Sequence, residues 1–238
     1  MSHDPLLSCD HTDGVTTITL HDGKANVMGL EMLRALDDAL GAAQAVHAAV
    51  VLTARGKAFS GGFDLATFQR RGPELANMLE AGARLAARLL AFPRPVVVAC
   101  QGHAVAMGAF LLLAADIRLC ADAELRIQLN EVQMGLTVPR FAIALCRHRL
   151  TPASLHAAIV TARPFNAAQA LSAGFADELA APADLLAAAQ RHAQRLADYP
   201  AAAFESTKRR SATPGLQALE QAIDEDVAEW RTRAISDT

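Results

Sequence analysis

The chain has 238 residues, with 22 basic against 25 acidic side chains and only 5% aromatics, which allows one large core and excludes a basic nucleic-acid surface as the default. Its longest apolar run, residues 104–115, is shorter than the roughly 18 residues of a membrane span, and residues 1–10 lack the charged-then-apolar pattern of a signal peptide. Cys9, Cys100, Cys120 and Cys146 fall at no disulfide or metal-ligand spacing, so a reduced, cytoplasmic, metal-free protein is expected.

Residues 14–20 are β-branched and bounded by turn residues, which reads as a strand. A helix follows over 30–47, with Met32, Leu33, Leu36, Leu40 and Ala43 at helical spacing. Residues 49–53 form a short buried strand, and 58–64 a glycine-bearing loop. Residues 74–91 are helical and stopped by Phe92-Pro93-Arg94-Pro95, and 96–100 are apolar throughout, as in a buried strand. A turn at Gln101-Gly102 precedes a helix over 107–114, and 117–120 and 125–128 read as strands. Beyond Pro139 no strand is expected, only helices over 141–149, 152–160, 167–173, 185–198, 201–210 and 216–233. The pattern predicts an α/β core followed by a helical region.

Two segments carry the chemistry. Lys57-Ala58-Phe59-Ser60-Gly61-Gly62-Phe63-Asp64-Leu65 follows a buried strand, and its glycines permit a sharp turn with exposed amides. Gln101-Gly102-His103-Ala104-Val105-Ala106-Met107-Gly108-Ala109-Phe110 repeats the arrangement after the strand ending at Cys100. Two amides converging on one oxygen make an oxyanion hole. Each segment alone reads first as an ordinary strand-to-helix turn. Glu131 then stands among apolar residues just after a strand, where burial would raise its pKa toward that of a general base. An exposed turn glutamate, or an ion pair with Arg126 or Arg140, is the alternative.

Taken in order, these segments resemble the crotonase (enoyl-CoA hydratase/isomerase) superfamily. Residues 59–65 are similar to its first oxyanion signature and 102–116 to its second. Residues 161–177, with Phe165-Asn166-Ala167-Ala168-Gln169-Ala170 and Ala173-Gly174-Phe175-Ala176-Asp177, resemble the stretch closing its core. The resemblance implies a spiral of ββα units over 1–177 carrying an acyl-CoA site. It also implies a helical C-terminal region, 178–238, that mediates assembly into a homotrimer or dimer of trimers. It assigns the oxyanion amides to Phe63 and Met107 and the catalytic carboxylate to Glu131. Lys24, Ala25, Gly61, Gly62, Asp64, Leu65, Gly108 and Phe110 are expected to line the substrate site. Coenzyme A is then part of the substrate, and no separate cofactor is implied.

The family's hydratases carry a second glutamate where this chain has Phe110. Its 3,2-enoyl-CoA isomerases keep one glutamate and an apolar residue at the other position. An isomerase is therefore the first expectation, and a hydratase or a chain that only binds acyl-CoA are the alternatives. Lys24, Arg55 and Lys57 are the cations near the nucleotide handle and serve equally well as solvated surface residues. His103 is expected to be structural, and Arg147, His148 and Arg149 a solvated helix face. No Gly-x-Ser-x-Gly elbow of a serine hydrolase is present.

Overall fold

In the computed structural model, which describes residues 5–236, the chain makes successive turns of strand, strand, helix. The first turn is β1 (Leu7–Thr12), β2 (Val15–Leu20) and α1 (Leu30–Ala45). The second is β3 (Ala49–Ala54) and β4 (Ala58–Ser60), with α2 (Leu65–Arg70) and α3 (Gly72–Ala91). The third is β5 (Val96–Cys100), β6 (His103–Val105) and α4 (Met107–Leu113). The fourth is β7 (Ile117–Ala121), β8 (Ile127–Gln128), one 3-10 turn at Val132–Met134, and α5 (Arg140–Arg149). After these come α6 (Pro152–Ile159), α7 (Ala167–Ala173), β9 (Glu178–Ala180), α8 (Leu185–Ala197) and α9 (Ala201–Ser236).

The spiral builds two sheets. A six-stranded sheet runs β1-β2-β3-β5-β7-β9, antiparallel only at β1-β2. A small parallel sheet runs β4-β6-β8. Strands β3 and β5 are apolar at nearly every position because helices cover both faces of a parallel sheet. On one face Ile18, Val50 and Leu52 meet Leu36 and Leu40 of α1 and Leu85 and Leu89 of α3. On the other lies α8, whose Gln190 amide donates to the Thr17 hydroxyl at 3.2 Å. Two partly buried ion pairs tie the edges. Arg118 donates to Asp177 and to the Gly174 carbonyl, and Lys208 donates to Asp116 at 2.7 Å.

Several expectations are corrected. A strand does follow Pro139: β9 is the sixth strand of the main sheet, so the elements after residue 177 are built into the same core. The two C-terminal helices are one, α9, which runs through Pro214. An interior proline normally costs about 3 kcal/mol, and packing on α3 and α5 offsets it. Gly215 is part of that packing, because a Cβ there would lie 2.7 Å from the His148 ring. The buried sides of α8 and α9 pack on the chain's own sheet and on α3 and α5, while Leu186 of α8 stays 40% exposed. Arg149 is not a solvated residue: it donates to the Leu113 and Ala115 carbonyls at 3.1 and 2.6 Å. Among the described residues no helix is long and apolar enough to cross a membrane, and no cluster of three or more His, Cys, Asp or Glu could hold a metal ion. Cys9 is a free, exposed thiol, and the other three cysteines are free and buried.

Candidate active site

The small sheet brings the sequence-predicted residues together. Its strands end at Ser60, Val105 and Gln128, side by side and parallel. Phe63, Met107 and Glu131 each follow one of these ends by two or three residues. Neighbouring strands lie about 4.8 Å apart, so the three chain segments leave the sheet as neighbours. Ligands of parallel sheets sit at these carboxyl ends.

Local bonds decide which amides are open. Gly61 N–H donates to the Ala25 carbonyl at 2.8 Å and Gly62 N–H to Ser60 Oγ at 3.1 Å. Ala106 N–H donates to the Gln128 carbonyl at 2.9 Å. Among the described residues neither Phe63 nor Met107 N–H finds a protein acceptor, and Met107 opens α4, where no carbonyl lies one turn back. Both side chains point away into the protein. A Cβ at Gly82 of α3 would lie 2.5 Å from the Phe63 ring and 3.3 Å from the Met107 sulfur, so that glycine makes the room that stores them. A bulky residue is compatible with a main-chain donor on this arrangement.

The two turns touch. Gly62 has φ +93°, and a Cβ there would lie 2.9 Å from the Val105 carbonyl oxygen. A Cβ at Gly108 would lie 2.7 Å from the Ser60 carbonyl oxygen. Between them Ala106 holds φ 47° and ψ −116°, a glycine-like conformation that costs an alanine roughly 1–3 kcal/mol. The strain aims the next amide, that of Met107.

Glu131 is 8% exposed, and its Oε2 has no hydrogen-bond partner. Burial pushes its carboxyl up to about 7. Neither ion pair considered from the sequence forms: Arg140 engages Asp226, Glu229 and Glu225 on α9. Cys146 of α5 lies near enough that, after burial, the Glu131 charge is the second cause raising its thiol. Phe110 is fully buried, edge-on to Phe141 at 5.5 Å.

The remaining expected residues divide. Ala25 binds Gly61 through its carbonyl, and Lys24 is exposed on the adjoining loop. Asp64 caps α2, its oxygens accepting from Ala66 N–H and the Thr67 hydroxyl. The Thr67 bond is the main cause holding its carboxyl below the ordinary value. Leu65 is exposed at the start of α2. His103 accepts from Arg126 N–H at 3.0 Å, as a structural residue would.

Sequence reasoning missed Asp22 and the way Asn26 holds the 22–27 loop. Asp22 accepts from the Lys24, Asn26 and Val27 amides. Burial alone would raise its carboxyl, and these amides overcome that and lower it. Buried Asn26, at φ 51°, donates to the Arg55 and Ala58 carbonyls. An Asp followed four residues later by Asn around a glycine is a turn signal that could have found them.

A profile of the family described as Enoyl-CoA hydratase/isomerase matches residues 10–232. A Mycobacterium tuberculosis structure described as an enoyl-CoA isomerase is 40% identical, with TM-score 0.90, covering 94% of this chain and 98% of that one. A Mycobacterium marinum enoyl-CoA hydratase structure is 38% identical, with TM-score 0.91, covering 95% and 100%. The Arabidopsis thaliana peroxisomal enoyl-CoA delta isomerase 2 is 32% identical over 138 residues, 55% of this chain. Matched stretches span 58% of that relative's length and 72% of a Thermus thermophilus relative's. Fold, motif order and profile agree: the chain belongs to the enoyl-CoA hydratase/isomerase family of the crotonase superfamily.

Proposed function

We propose that this protein shifts the double bond of a 3-enoyl-CoA to the 2-position. The observation that carries the reading is one buried, unpartnered carboxylate, Glu131, with Phe110 where the family's hydratases are expected to have the second. Glu131 takes a proton from C2, the charge moves onto the thioester oxygen, and the same proton returns at C4. The Phe63 and Met107 amides hold that oxygen while it is an enolate. Proton and electron pair both stay with the substrate, so no water is consumed and no cofactor beyond the substrate's own coenzyme A is required. Lys24 and Ala25 lie on the loop bonded to the first turn, where the thioester's nucleotide handle would run. Gly61, Gly62 and Gly108 let the ligand approach the main chain, and Leu65 offers apolar surface beside it. Hydratase remains the second reading, because relatives at similar identity carry that description.

The test is to incubate the pure protein with 3-enoyl and 2-enoyl thioesters and follow conjugation and hydration separately. Isomerisation should dominate. Faster hydration would overturn the reading in favour of a hydratase, and binding with neither reaction would leave a binding protein. The kcat/KM of isomerisation should rise with pH about a midpoint near 7, because the base works only deprotonated and burial holds it there. A profile with its midpoint at the ordinary carboxylate value would remove Glu131 from the role. We also propose a cytoplasmic homotrimer or dimer of trimers on family grounds, which a solution mass by light scattering checks directly.

A further inference from the structure

We propose that Asp226, on the C-terminal helix, is a positioning residue for the catalytic segment, fixing its downstream end by capping α5. This rests on the reading of Glu131 as the base. The segment leaves β8 at Gln128, carries Glu131, and enters α5 at Arg140. Leu129 and Val138 are buried near its two ends, but between them little packing restrains residues 132–137: Val132 and Met134 are 48% and 52% exposed, and Leu136 is exposed as well. Its internal bonds are local, from Met134 N–H to the Asn130 and Glu131 carbonyls and from Leu136 N–H to the Glu131 carbonyl. One side-chain tie joins Gln133 to Gln128 at 3.0 Å. The segment is therefore held mainly at its ends.

The upstream end belongs to the small sheet. The downstream end has no cap of its own, because Pro139 has no side-chain acceptor for the first amides of α5. Asp226 supplies one from 85 residues away: Oδ2 accepts from Phe141 N–H at 2.9 Å and Oδ1 from Arg140 N–H at 3.1 Å. Its carboxylate is 2% exposed, and the Arg140 guanidinium pairs with it at 3.1 Å. That guanidinium also meets Glu229 at 2.7 Å and Glu225 at 3.5 Å. One turn further along α9, Trp230 packs edge-on to Phe141, which also packs edge-on to Phe110 of α4, the helix that Met107 opens. The helix thus grips Phe141 twice, by its backbone and by its ring.

The experiment compares Asp226→Asn, Asp226→Ala and Glu229→Gln with the wild type. It reads kcat, KM, the pH profile with a 3-enoyl thioester, and hydrogen exchange of amides 131–141 without substrate. In Asp226→Ala, kcat should fall by about 10–100-fold while KM moves by less than about threefold. The acid limb should move to lower pH as water reaches Glu131, and exchange of the segment should accelerate. Asp226→Asn keeps one acceptor oxygen and should fall between, and it carries the test if the alanine variant does not fold. Glu229→Gln weakens the Arg140 pair without touching the α5 amides and should leave every readout in place. A folded Asp226→Asn with wild-type kcat, pH limb and exchange would overturn the proposal, as would a lower kcat with both other readouts unmoved. If the wild type lacks isomerase activity, the functional reading fails. Unchanged exchange in the variants would then separately defeat the anchoring.

Discussion

Glu131→Gln should lower isomerisation by about 10²–10⁴-fold, the range for losing a positioned general base. The amide keeps the size and polarity of the side chain, and the oxyanion donors are main-chain groups, so acyl-CoA affinity should change little. The same variant has a stability signature that an inert surface glutamate would not give. Burial lifts the folded pKa of Glu131 to about 7, above the ordinary glutamate value of 4.5. Between those values the folded state holds a proton that the unfolded chain has lost. Stability from this group is therefore complete below about 4.5 and falls as pH rises through 7. The span corresponds to roughly 3 kcal/mol as an upper bound, at 1.36 kcal/mol per pH unit. Glu131→Gln lacks the burden of a buried unpartnered charge, so it should melt several degrees above the wild type at pH 8 and close to it at pH 4.5. Wild-type turnover in a folded Glu131→Gln would remove the residue from the mechanism, whatever its stability.

The large elements were legible because their burial is periodic. Met32, Leu33, Leu36, Leu40 and Ala43 all turn inward on α1, and β5 is buried at every position, as its continuous apolar run implies. What escaped lies where that signal is weak. Strand β1 is largely exposed and lacks an apolar face, and only the Asp13-Gly14 pair, both residues at positive φ, marks its hairpin with β2. Strands β4 and β6 are three residues long, too short for any period to appear, whereas the equally short β8 lies inside the strand expected over 125–128. Yet this small sheet aligns the site. Pro214-Gly215 reads locally as a break, and contacts with α3 and α5, distant in sequence, override it. The candidate site residues were read from motif order, which singled out Phe63, Met107 and Glu131. Their supports, Gly82 and Asp226, act across long sequence separations and leave no local mark.

Gly62→Ala should damage turnover severely while removing no reactive group. At φ +93° the backbone is strained for any residue with a Cβ. Here the new methyl would also stand 2.9 Å from the Val105 carbonyl oxygen and 3.0 Å from the Ala106 Cβ. The first of these is backbone at the end of β6, which cannot rotate away as a side-chain tip can. Relief requires the two turns to separate, and they carry the two proposed oxyanion amides on either side of the contact. Losing one donor costs about 10²–10³-fold in kcat, and displacing both turns should reach at least the lower figure. Gly61 supplies the internal comparison. It lies outside the positive-φ region, and its new Cβ would meet the Ala25 Cβ at 3.3 Å, a contact that a small shift relieves. Gly61→Ala should therefore cost less activity than Gly62→Ala at equal or better stability. The measurement is kcat beside the melting temperature for both variants. A folded Gly62→Ala that turns over 3-enoyl thioester at the wild-type rate would show that the enolate oxygen is held somewhere other than between Phe63 and Met107.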